Sequence, residues 1–311
     1  MTAAVFSTVQ AQTLLDAVAL GSIYALMAIG IGLVFGVLRL VNFAYGQLVM
    51  AGAYALALTQ NVPVVLSIAV CFVVVLALSF AMELAVFRPL RRASPTTMLV
   101  ATFAVSYLLQ SIALVRFGAI GRFLVVIPQL TELVTIGGFH IRWITIVTIV
   151  VAIAVFGVLT LFLTRTSIGL QMRAASIDSD TARLLGIRAN AVITVAVLIS
   201  GAIAALVAVI LPMAVPERVL VTPDYALRET IIVLVGVVVG GIDRLLSATL
   251  GGFAIGFAVG VLSGFLPSSG SWPFTSSVYL DSAVFMLVIL VLLVRPEGLF
   301  TRSRRSAVER V

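Results

Sequence analysis

The chain has 311 residues, 62% of them hydrophobic and only 10% charged, against about a quarter charged in soluble domains. A mean hydropathy of +1.26 and recurring apolar runs of about 17–25 residues exclude a soluble globular domain. They equally exclude a membrane β-barrel, whose strands alternate over about 10 residues. The net charge of +7 comes from arginine alone, because no lysine occurs. A Walker A phosphate loop and Schiff-base chemistry are therefore excluded.

In chain order the apolar segments fall at about 14–38, 43–60, 62–86, 96–116, 143–163, 191–215, 226–242, 248–266 and 279–294. The opening "MTAAVFSTVQAQTLLDAVAL" has no basic residue, and the first arginine is Arg39, so no cleaved signal peptide is expected. The loop "FRPLRRASP", the segment 164–190, Asp243–Arg244 and the tail "RPEGLFTRSRRSAVER" collect most of the arginines on one side, together with Arg39. The opposite side holds Arg116, Arg122, Arg142, Arg218 and Arg228. Since positive loops stay in the cytoplasm, the N-terminus is placed outside and the C-terminus inside, which requires an odd number of crossings. The expected fold is an all-α polytopic membrane protein with about nine transmembrane spans (8–10), a single transmembrane domain over 1–311.

Two segments stand out. The second span is short, carries Gly46 and Gly52, and follows "RLVNFAYGQ", which places Asn42, Tyr45 and Gln47 near a helix start. Interrupted spans with polar side chains line pathways in transporters; an interfacial turn with an aromatic anchor is the plainer reading. The fourth span carries Thr102, Ser106 and Gln110 at helical i,i+4 spacing, a stripe suited either to interhelical hydrogen bonds or to a pathway. The polar island Thr164–Asn190 interrupts the apolar pattern. Within it "SIDSDTARLLGI" reads as a short helix, capped by Asp178 or Ser179, closed by Gly186, with Ile177, Ala182 and Leu185 on one apolar edge. Such a helix suits docking onto a soluble partner.

Other features carry less. Gly32, Gly36 and Gly52 match Gly236, Gly240 and Gly256 at an offset of 204 residues, a faint echo whose two copies would run in the same direction. Asp16 and Glu83 lie near span ends, where snorkelling explains them, although Glu83 has Arg88 and Arg91 as alternative partners. Glu229, with Arg228, falls at a predicted outer end. Cys71 reads as a small packing residue, and His140 sits in an outer loop. With one Cys and one His, no metal site or catalytic set emerges, and no cofactor is expected.

At these residues the chain resembles the LivH-type permeases of branched-chain amino acid ABC transporters. The blocks "GSIYALMAIGIGLVFGVLRLVNFAYGQLVMAGAY", "RPLRRASPTTMLVATFAVSYLLQ", "TRTSIGLQMRAASIDSDTARLLGI" and "RPEGLF" occur in the family's order. The resemblance implies a non-catalytic permease subunit of the plasma membrane that moves branched-chain amino acids inward. Its implied partners are a LivM-type permease, two cytoplasmic ATPases and an extracytoplasmic solute-binding protein; nucleic acid is not among them. Polar side chains beside the interrupted second span and along the fourth make Asn42, Tyr45, Gln47, Ser106 and Gln110 the expected lining of the substrate pathway. The resemblance makes 164–190 the cytoplasmic coupling loop, with Arg173, Ala174, Asp178, Ala182, Leu185 and Gly186 contacting the ATPase. Two positions depart from the pattern. Tyr45 stands where many relatives have His, and the Glu-Ala-Ala motif of ABC importers is here Arg173-Ala174-Ala175, with no Gly in the turn around Asp178. A permease for urea or short amides, and a channel working without an ATPase, are the alternatives.

Overall fold

The computed structural model describes residues 2–38, 42–91, 93–124, 132–136, 139–177, 186–214, 220–241 and 245–265, with isolated positions 127, 130, 182, 282, 286 and 293. The described chain is mainly helical, with two short antiparallel strand pairs. Among the described residues, six helices are long and apolar enough to cross a membrane: Gln12–Val37, Val64–Leu90, Pro95–Phe117, Trp143–Arg165, Asn190–Ala214 and Leu245–Gly264. They coincide with six of the expected spans. The expected span at 279–294 lies outside the described residues. Segments 43–60 and 226–242, each read as a crossing, form helices of only 14 residues. At 1.5 Å per residue each is about 21 Å long, short of the ~30 Å apolar core of a bilayer.

The helices are α1 (Thr2–Leu38), α2 (Tyr45–Leu58), α3 (Val64–Met82), α4 (Pro95–Phe117), α5 (Trp143–Arg165), α6 (Ser167–Ile177), α7 (Ala189–Ala214), α8 (Leu227–Gly240) and α9 (Leu245–Phe265). Their limits follow local chemistry. Pro63 precedes α3, and Ser94 caps α4 by accepting the Thr97 N–H at 3.2 Å, with Pro95 in the first turn, where its missing donor costs nothing. Gly118, at φ +80°, ends α4. α3 continues through a π-helical turn, Glu83–Phe87, to Leu90. There Glu83 is 1% exposed and paired with Arg91, which also donates to Asn190 at the start of α7. The snorkelling explanation of Glu83 is thus replaced by a buried ion pair.

α1 is the hub, with α9, α7, α5 and α8 against it. Gly252, Gly256, Gly260 and Gly264 recur every fourth residue along α9 and lie against Ala28, Gly21, Ala17 and Thr13 of α1 in antiparallel order. Small residues at this spacing let two backbones approach closely where lipid offers no hydrophobic drive for association. α3 and α7 are likewise antiparallel. The Ser79 hydroxyl donates to the Val197 carbonyl at 3.1 Å, and the Cys71 thiol donates to the Ala205 carbonyl at 3.8 Å.

One end of the bundle carries the strands β1 (Arg122–Phe123), β2 (Leu133–Ile136), β3 (Phe139–Arg142) and β4 (Leu220–Val221). Arg122 pairs with Val221, and Leu133 with Arg142. The opposite end carries Arg88, Arg91, Arg165, Arg173 and Arg188.

The helices also repeat, though not at the spacing read from the glycines. Both ends of α8 are displaced from those of α2 by 182 residues, so α1–α2–α3 recurs as α7–α8–α9. The second set is inverted. α1 runs toward the arginine-rich end and α7 away from it, joined by a 2.8 Å hydrogen bond from the Ser200 hydroxyl to the Gly30 carbonyl. The expected same-direction echo at 204 fails because its glycines pack differently. Gly32 faces Ala248 and Gly36 faces open space, while Gly236 and Gly240 face the Gly251 backbone.

Candidate substrate pathway and coupling surface

The entry to α2 is built from Asn42. Its side-chain Oδ1 accepts the Ala44 N–H at 3.0 Å, an Asx-type turn that fixes the approach to the helix. The Phe43 N–H donates to Thr102 Oγ1 at 3.4 Å, and the Phe43 ring meets the edge of Phe103, with centroids 6.0 Å apart. α4 thereby brings Thr102 to the turn, with Ser106 one turn further along; both are buried. Gln110 is a further turn on and half-exposed.

Tyr45 and Gln47 occupy the first turn of α2, and both are fully buried. Tyr45 lies over Gly30 of α1, where a Cβ would sit 2.5 Å from its hydroxyl oxygen. Neither the Tyr45 hydroxyl nor either amide atom of Gln47 has a hydrogen-bond partner. Unpartnered buried polar atoms cost of order 1–3 kcal/mol each, so natural folds retain few without a reason.

The same turn of α2 meets the start of α8, the counterpart of α2 in the inverted set. A Cβ on Gly46 would lie 2.5 Å from Thr230 Oγ1 and 2.7 Å from the Ala226 carbonyl oxygen. Ala226 begins α8 at φ +51°, the only non-glycine residue with positive φ among the described residues. Left-handed backbone costs an alanine about 1–2 kcal/mol. Thr230 returns its hydroxyl to the Ala226 carbonyl at 2.7 Å, and Glu229, 5% exposed, belongs to the same first turn. Sequence periodicity missed this junction, because "TPDYALRET" reads as an ordinary outer span end.

The junction is deep. Gly30 is seven residues, about 10 Å, from the Val37 end of α1, and Thr102 is the same distance from the start of α4. α2 runs from the junction to the strand end, where Gln60 donates to the Phe123 carbonyl. α8 runs the other way and ends at Gly241, whose carbonyl accepts the Ser247 hydroxyl at 2.9 Å. Two half-length helices therefore meet first turn to first turn inside the bundle.

In the polar island most of the expected helix, 178–181 and 183–185, lies outside the described residues. A helix that the sequence reading did not expect forms at α6, over "SIGLQMRAASI". Thr166 caps it by accepting the Gly169 N–H at 3.0 Å, a signal present in "TRTS". Gly169, Met172 and Ala175 turn inward, while Arg173 and Leu170, 60% exposed, face outward and Ala174 is half-buried. Asp178 and Leu185 lie outside the described residues. Ala182 is 3% exposed, so its methyl already packs against this chain and is withdrawn from the docking edge. Gly186 has φ +82°, and the Ile187 N–H reaches back to the Ala182 carbonyl at 3.1 Å, a Schellman-type closure.

Residues 13–294 match the family model described as "Branched-chain amino acid transport system / permease component". The high-affinity branched-chain amino acid transport permease BraD of Pseudomonas aeruginosa is 30% identical over 314 residues, covering 96% of this chain and 97% of that protein. LivH of Escherichia coli K12, a high-affinity branched-chain amino acid transport permease, is 28% identical with the same coverage. A solved transporter described as of the metal-chelate ABC type, in an inward-facing conformation, superposes with a TM-score of 0.50 at 16% identity over 93% of this chain and 88% of its own, a likeness of fold alone. The chain belongs to the family of branched-chain amino acid transport permease components.

Proposed function

We propose that this family member is the membrane-spanning subunit of an ATP-driven ABC importer that carries branched-chain amino acids inward across the plasma membrane. The observation that carries the reading is the α2–α8 junction, a buried polar site at the meeting point of two half-length helices in an inverted repeat. Transporters built on inverted repeats hold substrate at such interfaces. Asn42, Tyr45, Gln47 and Ser106 line the route, with Gln110 further along it.

The arginine-rich end faces the cytoplasm, which puts the N-terminus outside and the C-terminus inside. Nine membrane segments then comprise seven full crossings, counting 279–294, and the half-length α2 and α8. The sequence has no lysine for a Walker A loop, so ATP is hydrolysed by two cytoplasmic ATPase partners. These dock on segment 164–190 through Arg173, Ala174, Asp178, Leu185 and the Gly186 turn, joined by the exposed Leu170. A LivM-type permease completes the pathway, and an extracytoplasmic binding protein delivers substrate. ATP binding closes the ATPase pair, moves the docked helices and exchanges outward- and inward-open states, a shift between two packings of one bundle.

Reconstitution of the complete complex in vesicles tests this reading. Leucine uptake that requires both ATP and the binding protein is expected. Uptake of urea or acetamide in its place, or leucine flux without ATP, would replace it with an amide permease or a channel.

A further inference from the structure

Three spanning helices leave a space between them that their own side chains do not fill. A cavity of about 490 Å³ lies among α3, α5 and α7, lined by Phe72 of α3, Val155, Val158 and Phe162 of α5, and Ile199 and Leu206 of α7. Its size falls in the range of sites that take small organic ligands, about 300–1,000 Å³. Every lining residue is apolar, so water finds no hydrogen-bond partner there. Val158 is 68% exposed, which makes the cavity a groove open to the side, within the membrane-spanning length of the three helices.

The surroundings of the groove decide what fills it. Its walls turn Val73, Val74, Val150 and Ile153 outward, an apolar surface suited to lipid tails. α4, by contrast, exposes Tyr107 at 67% in mid-span, and its hydroxyl suits a protein neighbour better than hydrocarbon.

One end of the groove is charged. Val158, Phe162 and Arg165 recur at i, i+4 and i+7, one stripe of α5. Arg165 is exposed and closes the helix about 4.5 Å beyond Phe162. Helix side chains lean toward the N-terminus, so its stem lies back toward Phe162 and the groove. On another wall, the exposed Arg188 accepts the Val192 N–H at the head of α7. It precedes Ile199 by eleven residues, about three turns, and so shares its side of the helix. Among the described residues the carboxylate at this end is Glu83, which is buried and paired with Arg91.

We infer that the groove between α3, α5 and α7 is a binding site for an anionic phospholipid, with an acyl chain along Phe162, Val158 and Ile199 and the phosphate at Arg165 and Arg188. An apolar slot with a basic rim at headgroup level matches both parts of such a molecule. The site lies apart from the α2 turn and does not depend on which solute is carried.

The test uses the complete complex of this chain, its permease partner and its ATPases, purified in detergent and depleted of lipid. Dioleoyl phosphatidylglycerol or dioleoyl phosphatidylcholine is added, and binding is read by native mass spectrometry. The parent should bind the phosphatidylglycerol at least fivefold more tightly. Arg165→Gln combined with Arg188→Gln should bring that preference below twofold, whereas Arg116→Gln, at the opposite end of α4, should keep it. Ala202→Phe and Val158→Trp, which fill the groove from two walls, should each remove the tightest lipid of either kind. Equal affinity for the two lipids in the parent overturns the site. So does a preference that survives the double arginine variant, or one that Arg116→Gln lowers equally. Parental binding in both groove-filling variants places the lipid elsewhere. Cross-linking of Val158→Cys, in a Cys71→Ala background, to the permease partner and not to lipid by a photoactivated maleimide gives the groove to that subunit and likewise overturns the inference.

Discussion

Tyr45 fills the space into which any side chain at position 30 would grow: a Cβ on Gly30 would lie 2.5 Å from the Tyr45 hydroxyl oxygen and 2.8 Å from the ring. Gly30 is held from the other side by Ser200, which donates to its carbonyl. The glycine is therefore the point at which α1, α2 and α7 are fixed to one another. Gly30→Ala should lower the thermal stability of the purified protein by an amount in the range of overpacked cores, about 1–3 kcal/mol. Tyr45→Leu placed in the same background should restore most of it. Equal instability in the single and double variants would show that the contact with Tyr45 is not what position 30 requires.

Orientation is checked by labelling single cysteines in a Cys71→Ala background. Ile120, 88% exposed at the strand end, and Arg173, exposed on α6, lie at opposite ends of the bundle. A membrane-impermeant maleimide added to intact cells should label Ile120→Cys and leave Arg173→Cys untouched until the cells are opened. The reverse pattern would invert the whole topology.

The entry to α2 depends on two hydrogen bonds from separate elements. Asn42→Ala removes the acceptor for the Ala44 N–H, and Thr102→Val removes the acceptor for the Phe43 N–H. Leaving a buried donor unsatisfied costs about 1–3 kcal/mol. Both variants should reach the membrane in parental amount and lower ATP-dependent uptake several-fold. Parental transport in both would reduce this turn to packing.

Docking of the ATPase is tested on the polar island. Burying a leucine-sized side chain contributes about 1.5–3 kcal/mol, and an introduced carboxylate would be buried without a partner. Leu170→Asp and Leu185→Asp should leave the permease pair intact and abolish ATPase co-purification. Gly186→Val, forced to φ +82°, should cost about 1–2 kcal/mol in the loop and weaken coupling less than either charge. Full retention of the ATPase by both aspartate variants would move the docking surface elsewhere.

The Glu83–Arg91 pair ties the π-helical end of α3 to Asn190 at the start of α7. Removing one partner of a buried pair leaves an uncompensated charge, at a cost of about 3–5 kcal/mol. Glu83→Leu and Arg91→Leu should each reduce membrane abundance sharply, and the double variant should recover part of it. Additive losses in the double variant would mean that the two residues act separately.

The sequence by itself determined the class of the molecule and the positions of its long helices. Runs of more than 20 apolar residues allow a backbone to satisfy its hydrogen bonds only as a helix in lipid, so six spans were fixed by composition alone. It also determined Gly186, since a left-handed helix exit is a local requirement that few residues meet. The choice of Asn42, Tyr45 and Gln47 came from polar residues beside an interrupted span, again a local signal. It did not determine that α2 and α8 are half-length partners, because the Gly46–Ala226 approach joins residues 180 positions apart and leaves no periodic trace. Nor did it show which carboxylate is paired, or that α6 forms over 167–177 and Ala182 turns inward. In a chain that is apolar on nearly every face, hydropathy cannot say which face of a helix meets another. Close fit between backbones decides that, and close fit exists only once the helices have assembled.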